Sequence, residues 1–319
     1  MAKKRRGRPV NGVLIVDKPA GQSSNRSLQI AKRLFFAQKA GHTGSLDPLA
    51  TGVLPVCFGE ATKFSQFLLD SDKAYRSTFL FGVITASGDA DGEVLEESDA
   101  SAVTEADVLA LLPRFSGEIE QVPSMFSALK HQGQPLYKLA RKGIEVERKV
   151  RQVTIFDIRL EAFRSAEETG GQPEADVYIH CSKGTYVRSI AEDLGLELDC
   201  GAHVKALHRV QAGPFKEAQA VSLTTLEALA EKVETEGYEP LDALLEPVDV
   251  AVMHLPEVTL AESAVFYMLR GHAVSVSVMP ENCHEGDIVR MYSESRDFIG
   301  IGEVLDGGQV GPKRLIATN

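Results

Sequence analysis

The stretch Gly41-His42-Thr43-Gly44-Ser45-Leu46-Asp47-Pro48-Leu49-Ala50-Thr51-Gly52-Val53-Leu54 holds a single carboxylate and a single imidazole among glycines and a proline. Glycine and proline open backbone geometries closed to other residues, so such a loop can aim one side chain at a ligand. An aspartate aimed this way could serve as a nucleophile, splitting one hard step into easier ones through a covalent intermediate. Taken alone, Asp47-Pro48 reads more simply as a turn start. Other motifs fail on spacing. Ser87-Gly88-Asp89-Ala90-Asp91-Gly92 looks faintly like a calcium loop, but its twelfth position is Ser98 and not a bidentate glutamate. Gly300-Ile301-Gly302 is followed by Leu305 where a dinucleotide fingerprint needs glycine. Cys57, Cys181, Cys200 and Cys283 form no CxxC pair, and His203 and His208 are five apart, so no metal site is expected.

Read as a whole, residues 41–54 resemble the signature of the TruB family, the tRNA pseudouridine-55 synthases, almost letter for letter. Further matches follow in order. Val16-Asp17-Lys18-Pro19-Ala20-Gly21-Gln22-Ser23-Ser24 resembles the family's first motif, and Lys73-Ala74-Tyr75-Arg76 the one bearing its active-site tyrosine. Gly82, Thr85, Ser87, Asp89 and Gly92 follow its GxxTxTxDxxG pattern, with Ser87 where Thr is usual. The blocks 121–130 and 137–143, Gly184-Thr185-Tyr186-Val187-Arg188, Gly201-Ala202-His203 and Leu207-His208-Arg209 complete the set, with Ser124 and His208 departing from the usual Pro and Arg. The likeness covers about residues 11–215 and continues more loosely to the end.

The resemblance implies roles. Asp47 would be the nucleophile, with Arg188 as its cationic partner, and Tyr75 would complete the catalytic set. His42 would take the stacking place of an extruded base, Tyr186 and Leu207 would line the pocket, and Lys18 would support the catalytic loop and count among the substrate-binding residues. The reaction breaks the N1–C1′ bond of a uridine, turns the uracil and rejoins it through C5. It needs no redox step and no energy input, so no cofactor is expected. A uridine in a folded T loop must leave its stack to be reached. A pairing with Arg188 would favour the charged form of Asp47 and lower its pKa. Whether Asp47 attacks C1′ or C6, and whether Tyr75 is a base or a stacking platform, stays open at this level.

The elements that must position these groups are partly readable. Gly12–Val16 predicts a short strand, then a helix capped by Ser23 or Ser24 with Leu28, Ala31, Leu34 and Phe35 on one face. Residues 41–56 resist assignment to a regular element, and 117–158 mixes turns with helix signals. Arg76–Ile84 and Glu174–Cys181 read as strands, the latter with Val177, Ile179 and Cys181 on one face. A helix containing Ile190 and Leu194 follows the turn at Ser182-Lys183-Gly184. After about residue 250, short β runs at 273–278, 287–292 and 298–304 suggest a small C-terminal barrel resembling a PUA domain. The expected fold class is α+β: a pseudouridine synthase fold with a central mixed β-sheet, plus that barrel. The divisions are a basic flexible arm at 1–10, a catalytic domain at 11–251 and an RNA-binding domain at 252–319.

The formal charge of −11 is unusual for an RNA binder, but its distribution is uneven. Residues 1–76 carry 13 Lys and Arg against 5 Asp and Glu, and residues 130–151 carry 7 against 2. An RNA senses the local field within a Debye length, not the total. An insertion at about 124–152 is therefore expected to grip the T stem of tRNA, with Lys130, Lys138, Arg141, Lys142, Lys149 and also Arg209 on the RNA backbone. The C-terminal unit would reach the acceptor stem. No apolar run approaches the roughly 20 residues of a membrane helix, and no secretory pattern follows the basic start, so a cytoplasmic protein without guide RNA is expected. The competing reading is an RNA chaperone for tRNA in which catalysis is secondary, and a further one is a guide-RNA-dependent synthase.

Overall fold

The computed structural model describes residues 6–127 and 129–317. In chain order the strands are β1 Gly12–Lys18, β2 Ala40–His42, β3 Thr51–Phe58, β4 Lys73–Phe81, β5 Val83–Thr85, β6 Val94–Glu97, β7 Gly117–Gln121, β8 Lys130–His131, β9 Gln134–Pro135 and β10 Arg151–Arg164. They continue as β11 Glu174–Cys181, β12 Ala202–Ala212, β13 Phe215–Lys216, β14 Val221–Ser222, β15 Glu257–Leu260, β16 Val274–Ser275, β17 Ile288–Ser293, β18 Phe298–Leu305 and β19 Gln309–Leu315.

The main sheet runs β14-β1-β3-β12-β4-β11-β10-β7, with β2 paired to β3 and β13 to β12. It is mixed: β1–β14 and β3–β12 are parallel, the other pairs antiparallel. Its strands follow from two-residue alternation. In β1, Leu14 and Val16 enter one apolar cluster with Leu28, Ala31 and Val56, while Val13 and Ile15 enter another with Val53, Cys57 and Phe64. Both faces are covered, which explains the unbroken apolar run. On β11, Val177, Ile179 and Cys181 face a third cluster with Ile190 and Leu194 of the helix Val187–Glu197. The helix Ser24–Leu34 is capped by Ser23, whose side chain accepts from the Arg26 N–H, and it buries Leu28 and Ala31. The adjoining Phe35 stacks on Phe58 with ring centroids 4.9 Å apart.

Three expectations need correction. Residues 51–58 form a regular, almost wholly buried strand despite Gly52 and Pro55. Tertiary pairing on both sides overrides the local turn signals there. Residues 151–164 are the long strand β10 and 117–121 its partner β7, not helix. Two register shifts in β10 break the alternation that would have revealed it. The basic arm is anchored from Arg8 onward, whereas residues 1–5 lie outside the described residues. The Arg8 N–H donates to the Phe36 carbonyl, the Arg8 guanidinium pairs with Asp242 and lies 3.8 Å over the Tyr238 ring, and Val10 is buried.

The C-terminal strands form a five-strand half-barrel in the order β15-β17-β18-β19-β16. Its own core contains Val258, Met268, Val289, Met291 and Val310. Yet Ile301, Phe298 and Ile288 pack into the cluster of Val13, Ile15 and Phe64. The Phe64 and Phe298 ring centroids are 5.4 Å apart, and the Tyr292 hydroxyl donates to Asp249 at 2.5 Å. Among the described residues, no helix is long and apolar enough to cross a membrane.

Candidate active site

The loop after β2 carries Asp47, and every turn of it is tied down. Ser24 at the start of its helix accepts from the Leu46 N–H at 2.7 Å and donates to the Leu46 carbonyl at 3.0 Å. The Gly21 N–H donates to the Pro48 carbonyl, the Ala50 N–H to the Asp47 carbonyl and the Thr43 N–H to the Pro55 carbonyl. Lys18 lies beneath with its ammonium donating to Pro19 O at 2.9 Å and Pro48 O at 3.3 Å. Gly52 closes the loop at φ +96°, where a Cβ would stand 2.4 Å from the Arg209 carbonyl oxygen, so no larger residue fits.

A cavity of about 320 Å³ opens beside this loop, lined by Asp47, Tyr75, Tyr186, Arg188, Leu207 and Arg209 among others. That lies at the small end of the roughly 300–1,000 Å³ usual for ligand pockets. The Asp47 side chain keeps 41% of its surface exposed, while that of Arg188 keeps 5%. The two meet at 3.1 Å between Nη2 and Oδ2. Arg188 is fixed by three more contacts. It donates to Ser87 O at 2.7 Å and to Phe126 O at 3.0 Å, and its Nη1 is 3.7 Å from Asp89. Tyr186 is held by its backbone. Gln121 donates to its carbonyl at 3.2 Å and accepts its N–H at 3.0 Å.

Burial dominates the electrostatics. It raises the Asp47 pKa above the ordinary value; Arg188 opposes this most strongly, and Asp89 adds to the rise. Arg188 thus lowers the Asp47 pKa as its pairing implies, but burial, which the sequence does not reveal, outweighs it and the net shift is upward. Burial likewise pulls Lys18 and Lys73 down to about 8 and raises the Tyr75 hydroxyl. It holds the His42 imidazole below its usual value, helped by Arg209, and leaves the buried His42 Nδ1 without a hydrogen-bond partner. Cys57 and Cys181 are pushed up to about 12 by burial, so they are inert thiols.

The structure thus brings Asp47, Tyr75, Tyr186, Arg188 and Leu207 together, and places the half-buried His42 on the strand leading into the loop. Two assignments change. Lys18 is 0% exposed, so it holds the loop and cannot touch a substrate. Arg209 is 1% exposed, so it cannot reach an RNA phosphate. It donates to Val53 O at 2.7 Å and Gly44 O at 2.9 Å from beneath the pocket. By contrast Lys130, Lys138, Arg141, Lys142 and Lys149 are all exposed on the segment that carries β8, β9 and the single-turn helix Leu136–Ala140. Sequence reading quoted Lys73 as a motif letter but gave it no role: the residue is 6% exposed and its ammonium bonds the carbonyls of Leu68 and Leu69. It likewise gave no role to Gln121, which clamps the Tyr186 backbone. The buried Asp89 was visible only as a motif letter.

Comparison with known proteins places the whole chain among relatives. Residues 32–187 match the family description "TruB family pseudouridylate synthase (N terminal domain)", residues 188–253 "tRNA pseudouridylate synthase B C-terminal domain", and residues 256–316 "Pseudouridine synthase II TruB, C-terminal". A protein of Saccharophagus degradans named tRNA pseudouridine synthase B is 56% identical over 317 residues, covering 99% of both chains. One of the same name from Pseudomonas aeruginosa is 52% identical over 316 residues, again covering 99% of each. Among solved structures, a Cbf5-Nop10-Gar1 complex contains a chain that superposes with a TM-score of 0.72 at 25% identity, covering 100% of this chain and 90% of that one.

Proposed function

From the premise that the chain belongs to the TruB family of pseudouridylate synthases, and is thereby an isomerase acting on tRNA, we propose that it converts uridine-55 of the T loop to pseudouridine with Asp47 as nucleophile. The observation that carries this reading is the half-buried Asp47 carboxylate, 3.1 Å from a buried arginine, lining a pocket shared with Tyr75 and Tyr186. The uridine leaves its stack to enter that pocket. His42 then fills the vacated place, offsetting part of the unstacking cost. Tyr75 and Tyr186 offer flat faces for the extruded ring.

The exposed cations Lys130, Lys138, Arg141, Lys142 and Lys149 hold the T stem through its phosphates, and residues 252–319 extend the contact toward the acceptor stem. The neighbouring solved structure is a complex with partner proteins. An enzyme with its own cationic grip has no need of a guide RNA to bring its target. Release of tritium from C5-labelled T-arm RNA by the purified protein alone tests the proposal. Turnover that survives in Asp47→Asn would overturn the nucleophile assignment, and no release from bare RNA would favour the guided reading.

A further inference from the structure

The excess of cations in residues 1–76 is only partly used by the site described so far. Between Asp17 and Asp47 the sequence holds no Asp or Glu and five Lys or Arg: Lys18, Arg26, Lys32, Arg33 and Lys39. Lys18 is buried under the catalytic loop. Three of the others stand on the helix Ser24–Leu34. That helix turns Ser24, Ser27, Leu28, Ile30 and Ala31 inward, and its opposite arc carries Asn25, Arg26, Gln29, Lys32 and Arg33. Arg26 and Arg33 are exposed and Lys32 is half-buried. None of the three meets a carboxylate within ion-pair distance among the described residues. Even Glu227, on the helix Leu223–Ala230 packed alongside, does not pair with them.

The same helix ends beside an aromatic ring held in the open. Phe36 follows two residues after Leu34, is 44% exposed and has φ +47°. A bulky residue in the left-handed region is an outlier, and here backbone bonds impose it. The Phe36 N–H donates to the Arg33 carbonyl at 2.9 Å, and the Phe36 carbonyl accepts from the Arg8 N–H at 2.6 Å. The preceding ring, Phe35, is fully buried against Phe58. The turn therefore buries one phenyl and sets the next in solvent, at the end of a cationic stripe.

Two cationic surfaces are thereby tethered to the catalytic loop. Ser24, the first residue of the helix, bonds Leu46 next to Asp47. Arg188, which touches Asp47, donates to the Phe126 carbonyl near the root of the 130–151 segment. The geometry points to a second RNA-binding surface, in which Arg26, Lys32 and Arg33 hold phosphates of the tRNA and Phe36 stacks on one of its unpaired bases. Cations without carboxylate partners can replace the counterions of a phosphate backbone. A flat exposed ring among them fits a base that has left helical stacking. A double helix hides its base faces, so the part engaged is a looped one. This rests on the reading of the Asp47 pocket as the catalytic centre.

The test measures binding of a full-length tRNA transcript to the full chain at several salt concentrations. The combined variant Arg26→Gln, Lys32→Gln and Arg33→Gln is expected to bind more weakly. Its log–log salt slope is expected to fall by about 0.7–0.9 per lost contact. Phe36→Asn removes the ring and keeps a residue that accepts the left-handed backbone. It is expected to bind about tenfold more weakly, with the wild-type salt slope and a melting temperature no lower than wild type. Phe36→Trp, which keeps a flat face, is expected to bind as wild type does. An unchanged salt slope in the combined variant overturns the inference, and so does wild-type affinity in Phe36→Asn. Because the readout is binding and not turnover, either failure leaves the catalytic reading standing; Asp47→Asn turnover judges that reading separately.

Discussion

Asp47 and Arg188 touch at 3.1 Å, and still the Asp47 carboxyl sits above the ordinary aspartate pKa. The loop that aims Asp47 also takes it partly out of water, and this loss outweighs the attraction of the arginine. At neutral pH the folded chain therefore favours the protonated carboxyl more than the unfolded chain does, so the charge on Asp47 works against folding. Asp47→Asn is expected to abolish tritium release while leaving the melting temperature equal to or above that of wild type. A clear drop in melting temperature would show the ion pair to be a net stabiliser.

The same raised pKa fixes the sign of the acid response. A nucleophilic Asp47 must be ionised, so single-turnover rate is expected to fall as pH drops through a value above the usual aspartate range. Arg188→Met removes the largest force opposing that rise. The acid limb should then move to higher pH, and the neutral-pH rate should fall by about 100-fold, the scale seen when one preorganised donor leaves an active site. An acid limb that stays in place would argue that Arg188 does not set the charge state of Asp47.

Lys18 makes a prediction about stability alone. Its pKa is pulled down to about 8, chiefly by burial, from an ordinary value of 10.5. A depressed folded pKa contributes stability that is complete above the unfolded value and is lost as pH falls through the folded one. The stability of wild type relative to Lys18→Met, measured by denaturant unfolding, should thus rise between pH 8 and 10.5. RNA affinity of Lys18→Met should be nearly unchanged, because the side chain has no exposed surface. A large loss of affinity would restore Lys18 to the binding surface.

Neutralising Lys138, Arg141, Lys142 and Lys149 together should weaken tRNA binding and flatten its salt dependence. Each lost phosphate contact should remove about 0.7–0.9 from the log–log slope. These side chains are exposed, so stability should change by no more than about 0.5 kcal/mol per site. An unchanged slope would remove this segment from the RNA interface.

The site was legible in the sequence as a set of short motifs, and only His42 and Asp47 share one gapless loop. Asp47, Tyr75, Arg188, Tyr186 and Leu207, which come from four separate motifs, all line one cavity. What escaped is what only long-range register decides. Arg209 sits on a strand whose sequence mixes Lys205, His208 and Gln211, and nothing local marks it as the one turned inward. Strand β3 hid behind Gly52 and Pro55, whose local preferences yield to burial from both sides. Strand β10 hid behind its register shifts. The sign of the Asp47 shift escaped for a related reason: a partner can be named from a motif, but the depth of a carboxylate cannot.

The wedge of Phe298 and Ile301 into the apolar cluster of Phe64 and Ile15 has a mechanical corollary. The half-barrel is packed directly against the main sheet, so the span from Asp47 to the half-barrel works as a built-in caliper. Any nucleic acid engaging both surfaces at once must come in a matching length.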